Sequence, residues 1–397
     1  MNGKWKYAMI PSLLVHCSVG IIYCWSLLYR YISIVFDDSH ISWAFSLAVF
    51  LLGLSAATLG PFLDRDSKKT GLSAAGLFGL GFIFSGLALW TENLWMFFLG
   101  FGGLAGIGIG LAYICPMKIV MSWFNDTGRR GLAIGLVITS FGLGKLFYSP
   151  LIILGAETIG ISWTLVGIGL LGMLIIGWSA LWMRSKPGLE NPKKGTKMKT
   201  PVEWFKNIRA NFLLPGFMTL WMILFLNTTI GLAIISYESY FFLASGVGIL
   251  AGAIMSGASN TLGRFCIGWW SDTFFVREKM LGLILCASGI FCFLSFLYPV
   301  MIPVAIVVCN FGFGAMFSII PNILADRYGL EKVVETHGLI LSAWALAGLV
   351  GNQMTNMVIG LYSSANQTVM LVNAAVYLIA LSMSTKFWEE EKEKKES

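Results

Sequence analysis

One basic residue, Arg264, lies within a long apolar stretch of the sequence. Around Arg264, the small or polar residues Gly257, Asn260, Thr261 and Gly268 recur at intervals of three or four, a spacing that places them on one face of a helix. Because a guanidinium facing lipid is strongly disfavoured, this face is expected to line an interior cavity. Arginine's planar fork can bind a carboxylate through two parallel hydrogen bonds. Arg264 is therefore the candidate anchor for an organic anion, the alternative being a structural arginine capped by carbonyls.

Lys145 is the second candidate cation. It lies 14 residues into its own apolar run, about 21 Å along a helix that rises about 1.5 Å per residue. Gly142, Tyr148 and Ser149 share its helical face. Two interpretations stay open: substrate binding, or a side chain that reaches outward to the far membrane interface.

Polar and aromatic side chains in other apolar runs complete the candidate substrate site. His16 and Tyr23 share one face of the first run. His16 could sense protons near neutral pH or donate to a carboxylate, or it could be an ordinary hydrogen-bonded interior histidine. Tyr23, Tyr113 and Trp344 are candidate cavity walls, with packing as the alternative for each.

The positions of the acidic residues bear on how transport could be coupled to protons. All 20 Asp and Glu are expected in loops, tails or helix ends, with Glu238 in the connection after the seventh apolar run. No carboxylate is then expected at membrane depth, where proton-coupled carriers often hold a relay. The pattern therefore argues against carboxylate-gated proton symport, although the substrate and His16 could still carry a proton.

The composition of the chain indicates a membrane protein. Of 397 residues, 57% are hydrophobic and 12% are charged, and the mean hydropathy is +0.77. Soluble domains carry about 25% charged residues, whereas a bilayer accepts helices of about 20 apolar residues. The seven cysteines are expected to be small apolar fillers without disulfides. No nucleotide loop, metal-ligand spacing or catalytic triad is present, so we expect no enzyme activity, metal or cofactor.

Twelve apolar runs predict an all-α bundle of twelve transmembrane helices. Connections are short except for the basic, proline-containing segment 184–211, which divides the runs six and six. We therefore predict an N-terminal six-helix bundle (1–183), a cytoplasmic linker (184–211) and a C-terminal six-helix bundle with a short charged tail (212–397). The runs fall at 7–29, 41–63, 70–90, 94–118, 131–155, 161–183, 212–236, 245–270, 279–298, 301–325, 336–360 and 366–387.

The basic residues predict the orientation. Of 27 Lys and Arg, 23 lie at the two ends or in the even-numbered connections. Lys and Arg are enriched on the cytoplasmic side of membrane proteins. Both termini and the linker are therefore expected in the cytoplasm of a cell whose inner or plasma membrane holds the chain. The net charge of +7 is then a topology signal, and no nucleic-acid partner is expected.

Landmarks repeat between the two halves at a nearly constant offset of about 207 residues. The segment from Gly60 to Asp64 and Arg65 recurs from Gly268 to Asp272, and the glycines and proline of the fourth run recur in the tenth. Such repeats predict a pseudo-symmetric bundle with a substrate site between the halves. These five residues could latch helix ends together in one conformation.

Several of these motifs resemble known transporter signatures. Gly60-x-x-x-Asp64-Arg65-x-x-Lys68-Lys69 resembles the loop signature of the major facilitator superfamily. Other motifs resemble the oxalate/formate antiporter family and, more loosely, the monocarboxylate transporters. They are Gly20-x-x-Tyr23-x-Trp25-Ser26, Gly106-x-Gly108-x-Gly110-x-x-Tyr113-x-x-Pro116, Trp123-Phe124, Arg130-Gly131-Leu132-Ala133-x-Gly135, Phe141-Gly142-x-Gly144, Gly263-Arg264, Gly268, Ser271-Asp272 and Ala343-Trp344.

The resemblance implies carriage of small carboxylates such as oxalate, formate, lactate or pyruvate. It also implies that Arg264 is the substrate-binding arginine of helix 8. The oxalate exchanger type has a second cation on helix 11, where this sequence has none, and Lys145 could replace it. Monocarboxylate transporters place an aspartate one turn before that arginine, at the position of Asn260.

The sequence thus predicts a secondary transporter of small organic carboxylate anions that works by alternating access, as a uniporter, symporter or exchanger. Its expected partners are the anion and the lipid bilayer, and a monomer is expected to suffice. The alternatives are a carrier of an unrelated small solute (a sugar, drug or amino acid) and a non-transporting membrane sensor of the same fold.

Overall fold

The computed structural model describes residues 3–36, 39–59, 66–124, 130–186, 208–273, 276–329, 332–361 and 365–396. Within these ranges the chain is helical and contains no strand, which confirms the predicted all-α class. The helices of the described ranges are α1 Trp5–Val35, α2 Ser42–Thr58, α3 Ser67–Trp90, α4 Leu94–Phe124, α5 Arg130–Thr158, α6 Ile161–Trp182, α7 Phe217–Ala244, α8 Ile249–Thr273, α9 Arg277–Leu297, α10 Ile302–Tyr328, α11 Val333–Ile340 continued by Ser342–Leu361, and α12 Ala365–Glu396.

Nine of these helices are long and apolar enough to cross a membrane, counting only the described ranges. The other three are α2, which has 17 residues, α8, which carries the polar stripe around Arg264, and α11, which is interrupted at Leu341. All three pack against the opposite half of the chain. α2 is apolar but short, whereas the lower apolar content of α8 and α11 fits helices that face other helices more than lipid.

Glycines allow the helices of one pair in each half to approach closely, and the two pairs are equivalent. A Cβ on Gly110 of α4 would overlap the backbone of α2 at Leu52, and a Cβ on Gly314 of α10 would overlap the backbone of α8 at Asn260. Two residues earlier, Gly108 faces α3 and Gly312 faces α9. The sequence repeat is thus also a repeat of helix packing.

Two apolar clusters form the interior. One is built from residues between Ala8 and Met183, and the other from residues between Phe217 and Phe387. The first also includes Phe313, Phe317 and other residues of α7, α10 and α11, so it continues across the boundary between the halves. Six-helix domains with the predicted boundaries agree with this packing and stay a prediction.

The two ends of the bundle can be told apart by their contacts. The start of α1 meets the ends of α4 and α6, because the indole N–H of Trp123 donates to the Arg184 carbonyl and the Arg184 N–H donates to the Tyr7 carbonyl. We call this the proximal end. At the opposite, distal end, the Asn352 side chain of α11 donates to the carbonyl oxygen of Ser42 and the hydroxyl of Ser46 on α2.

The predicted latch is only partly visible. Gly60, Asp64 and Arg65 lie outside the described residues. Gly268 is inside α8, and Asp272 is in its last turn. The neighbouring Asp66 accepts from the backbone N–H groups of Lys69 and Lys68 and so caps α3, and the Lys69 bond lowers the pKa of Asp66 below its ordinary value. The latch role stays a prediction.

Candidate functional site

Arg264 is held in the centre of the bundle by close packing between α8 and α10. Its side chain is 0% exposed. A Cβ on Gly263 would overlap the Phe311 carbonyl, and the Ser318 hydroxyl donates to the Arg264 carbonyl oxygen at 2.7 Å. The backbone that carries the guanidinium is therefore fixed on the α10 side.

The guanidinium donates to three neutral acceptors. Nε donates to the side-chain oxygen of Asn260 at 3.0 Å, Nη1 to the backbone oxygen of Ile138 at 3.3 Å, and Nη2 to the hydroxyl of Tyr23 at 3.0 Å. Since a guanidinium has five N–H donors, these three bonds leave two N–H groups for other acceptors. None of the three acceptors is anionic, so the positive charge lacks a counterion within the described part of the chain.

Aromatic rings surround this charge. The guanidinium carbon lies 4.9 Å from the ring centroid of Phe317, 5.4 Å from that of Phe141 and 5.9 Å from that of Tyr23. Aromatic faces stabilise a desolvated cation through their quadrupoles. They cannot neutralise it, so the site remains attractive to an anion.

The predicted aromatic walls come together beside Arg264. Trp344 contacts Tyr113 edge to face at 5.7 Å between centroids and Phe317 at 4.9 Å. Trp344 and Phe317 come from the second half and Tyr113 from the first, so the site spans the boundary. The indole N–H of Trp344 and the hydroxyl of Tyr113 are buried and have no partner among the described residues.

His16 joins the same cluster. Its ring stacks on Tyr113 at 4.9 Å, and Nε2 lies 2.9 Å from the Tyr113 carbonyl oxygen. Because a carbonyl only accepts, Nε2 carries a hydrogen, and in the neutral form of the ring Nδ1 keeps a lone pair. That nitrogen is buried without a partner in the described structure. His16 is thus hydrogen-bonded, as the structural interpretation expects, and its role in substrate binding stays a prediction.

A glycine contact places α1 against α5. A Cβ on Gly20 would overlap the Phe141 carbonyl, and a Cβ on Gly144 would overlap the Cys17 carbonyl. Next to this crossing α1 passes through a 3₁₀ segment, Gly20–Cys24. The close approach brings Tyr23 and Phe141 within 5.0 Å, centroid to centroid.

The prediction for the acidic residues was wrong at Glu238. The seventh helix runs to Ala244 and does not stop at 236, so Glu238 lies inside it and is 1% exposed. Its carboxylate forms an ion pair with the Lys145 ammonium. Lys145 is only 2% exposed, so its side chain is not at the membrane surface, and outward snorkelling was also wrong. The physical reason is mutual neutralisation, because two opposite charges can be buried together where neither can be buried alone.

A stop signal in the sequence could have located Glu238. Gly246 has a φ of +75°, the left-handed conformation with which glycine commonly follows a helix end. Counting back from this glycine puts Glu238 two turns inside α7. The polar run around Glu238 suggested a loop, although it faces other helices.

Comparison with known proteins decides the family. Residues 13–352 match the sequence model of the Major Facilitator Superfamily, which is most of the chain. The chain belongs to the major facilitator superfamily. It is therefore a multi-pass membrane transporter of a small molecule and not an enzyme.

Relatives and solved structures extend this assignment. The chain is 25% identical to the oxalate:formate antiporter of Oxalobacter formigenes over 409 residues, covering 97% of this chain and 91% of the antiporter. It is 22% identical to monocarboxylate transporter 12 of Rattus norvegicus, covering 92% of this chain and 82% of that protein. The fucose:proton symporter of E. coli has the same fold, with a TM-score of 0.67 at 15% identity over 96% of this chain and 97% of the symporter. The predicted superfamily, fold and similarity to these two carrier families are confirmed.

Proposed function

We propose that this protein carries small organic carboxylate anions by alternating access and that Arg264 is the anchor. The observation that supports the proposal is a fully buried guanidinium whose described acceptors are all neutral. An isolated charge at membrane depth is unfavourable, and a bound carboxylate would supply its counterion. The two remaining N–H donors match the two oxygens of a carboxylate.

The surrounding groups suit a small ligand. Tyr113 and Trp344 offer an unpaired hydroxyl and an unpaired indole N–H, and His16 offers Nδ1. Asn260 and Tyr23 fix the plane of the guanidinium. Because the aromatic rings come from both halves, ligand bound among them would contact both sides of the moving boundary. Binding would then bias the equilibrium between the conformations of the carrier.

The charges of the site favour a monocarboxylate. Lys145 is neutralised by Glu238, which leaves one uncompensated positive charge on Arg264. A monoanion balances that charge, whereas a dianion leaves one negative charge buried. Formate, lactate and pyruvate are therefore better candidates than oxalate for the conformation described above.

The proposal extends to the transport cycle. The halves 1–183 and 212–397 would rock about the central site, with the linker 184–211 and both termini in the cytoplasm. The distal end would then face outward. The segment from Gly60 to Arg65 and its counterpart from Gly268 to Asp272 would stabilise one conformation.

Uptake into proteoliposomes tests the proposal. Purified protein is reconstituted, and labelled formate, lactate and oxalate are offered with and without unlabelled anion inside, with L-fucose as a neutral comparison. We expect saturable carboxylate uptake that internal anion accelerates, and no fucose uptake. Absence of saturable carboxylate uptake, or uptake of fucose instead, would contradict the proposal.

A further inference from the structure

The Lys145–Glu238 ion pair joins the two halves of the molecule. Lys145 belongs to α5 and Glu238 to α7. Ser26 of α1 extends the junction, because its hydroxyl lies 3.5 Å from Oε1 of Glu238 and 3.0 Å from the hydroxyl of Ser239. Tyr23, which accepts from Arg264, precedes Ser26 by about one turn on α1. Because α1 runs towards the distal end, the pair lies on the distal side of Arg264.

Sequence positions give the separation of the two cations. Ile138, whose carbonyl accepts from Arg264, precedes Lys145 by two helical turns on α5, a rise of about 10 Å. Gly257, beside the Lys145 stem, precedes Arg264 by the same interval on α8. The ion pair is therefore a second charged site and not part of the Arg264 cluster.

Movement of the halves would have a specific electrostatic consequence at this pair. Opening the distal end separates α5 from α7 and exposes both charges to water. When the halves close again, each charge needs a partner, because a single charge left in the interior is strongly unfavourable. Two states of the site satisfy this condition. In the first the original ion pair forms again, and in the second Glu238 is protonated and an anion is bound to Lys145.

Few other titratable groups face Glu238. Lys145 is the cation beside it, and Cys24 and Tyr29 are the titratable side chains of α1 near the junction. Ser256 of α8 and Asn310 of α10, which lie next to the carboxylate, do not titrate. On the helices that contact α7, Arg30 of α1 lies one turn beyond Ser26, Arg264 of α8 lies two turns beyond Gly257, and the charged residues of α10, α11 and α12 in the described part lie near the proximal end. Oε2 of Glu238 has no partner among the described residues, so it can accept a proton.

We propose that Lys145 and Glu238 form a proton-linked carboxylate site, in which a carboxylate replaces Glu238 on Lys145 when Glu238 takes a proton. The proposal rests on the proposed carriage of carboxylates and adds coupling to protons. Water supplies the proton to the Glu238 carboxylate, and the incoming carboxylate keeps its negative charge. Binding of the proton and of the carboxylate is then mutually favourable.

The carboxylate at this site could belong to a second monocarboxylate ion or to the far end of a dicarboxylate. Oxalate is too short to bridge two helical turns from Arg264. A longer dicarboxylate such as adipate could occupy both sites at once. A preference for adipate over formate in the proton-coupled component would identify the second case, and equal coupling for both would identify the first.

The test measures pH dependence in proteoliposomes containing a trapped pH-sensitive dye. Wild type, Glu238→Gln and the matched surface variant Glu157→Gln are compared for formate and adipate uptake at pH 6, 7 and 8, with protein-free liposomes subtracted. For wild type we expect the affinity to fall as pH rises, by at most about tenfold per unit for one linked proton, and proton entry to accompany uptake. Glu157, which is exposed, should behave as wild type when changed.

Glu238→Gln should bind carboxylate independently of pH and move no protons. If this variant is too unstable to purify, the neutral pair Lys145→Gln/Glu238→Gln must also lose the pH dependence. Retention of wild-type pH dependence by either variant, or wild-type uptake without proton entry, would overturn the inference while leaving carboxylate transport intact. Absence of carboxylate uptake by wild type would refute the proposed function itself.

Discussion

Two buried cations of this transporter have opposite surroundings. Arg264 on α8 donates to an amide oxygen, a backbone oxygen and a phenol, and its charge is unbalanced among the described residues. Lys145 on α5 is paired with the Glu238 carboxylate. Both side chains are almost completely inaccessible. Burial alone therefore does not identify a substrate site, whereas the charge of the nearest acceptors separates the two.

The difference suggests separate tasks. A cation with neutral partners gains most from an incoming anion, so Arg264 suits substrate binding. A cation with an acidic partner from the opposite half stabilises the contact between halves, so Lys145 suits the control of opening. Four of the five following experiments depend on this contrast, and the expected effects decrease from the first to the third.

The largest effect is expected from breaking the ion pair. Lys145→Gln or Glu238→Gln leaves one buried charge without its partner and should cost about 3–5 kcal/mol of stability. The double variant removes both charges and should be more stable than either single variant. The measurement is the free energy of unfolding in mixed detergent micelles, with Glu157→Gln as the control. Additive losses in the double variant would show that the two residues do not interact.

A smaller loss is expected from crowding the helix contact that holds Arg264. In Gly314→Ala, the new methyl group would meet the Asn260 carbonyl, and such overpacking costs about 1–3 kcal/mol. Because Asn260 orients the guanidinium, carboxylate affinity should fall as well. Gly360→Ala is the matched control, since a Cβ there meets nothing within 4 Å. Equal stability of the two variants would mean that the α8–α10 contact can relax.

The smallest effect is expected at Tyr23. Tyr23→Phe removes the phenol oxygen that accepts from Arg264 Nη2 and leaves the ring in place. Loss of one hydrogen bond of about 0.5–1.5 kcal/mol corresponds to about a 2–12-fold weaker carboxylate affinity. The half-saturation concentration of uptake measures it, with the exposed Tyr240→Phe as a control. An unchanged value would assign Tyr23 to packing alone.

Orientation can be checked independently of the two cations. Protease added to intact cells should not cleave tags at either terminus if both are cytoplasmic, as the distribution of Lys and Arg predicts. Cleavage of either tag from outside would reverse the assignment of the distal end to the outer side.

The sequence predicted the structure best where the type of a residue alone determines its environment. Apolar runs predicted the helices, repeated glycines predicted the similarity of the two halves, and Arg264 with Asn260 formed part of the predicted stripe. The sequence was least informative at Glu238, because pairing with Lys145 is a contact between positions 93 residues apart that no local pattern encodes. Phe141, Phe317 and the Ile138 carbonyl were missed for a similar reason. Aromatic residues and backbone oxygens are common, and only the helix crossings select these.

The most direct test of the anion anchor is transport by Arg264→Lys beside wild type, normalised to folded protein, with the exposed Arg30→Lys as the matched control. The change keeps the positive charge but replaces the planar fork with a single ammonium. Losing one charge-assisted hydrogen bond of about 1.5–3 kcal/mol predicts an affinity for formate or lactate that is about 10–150-fold weaker. Arg30→Lys should transport as wild type does. Near-normal affinity in folded Arg264→Lys would contradict the account and leave Arg264 a structural residue.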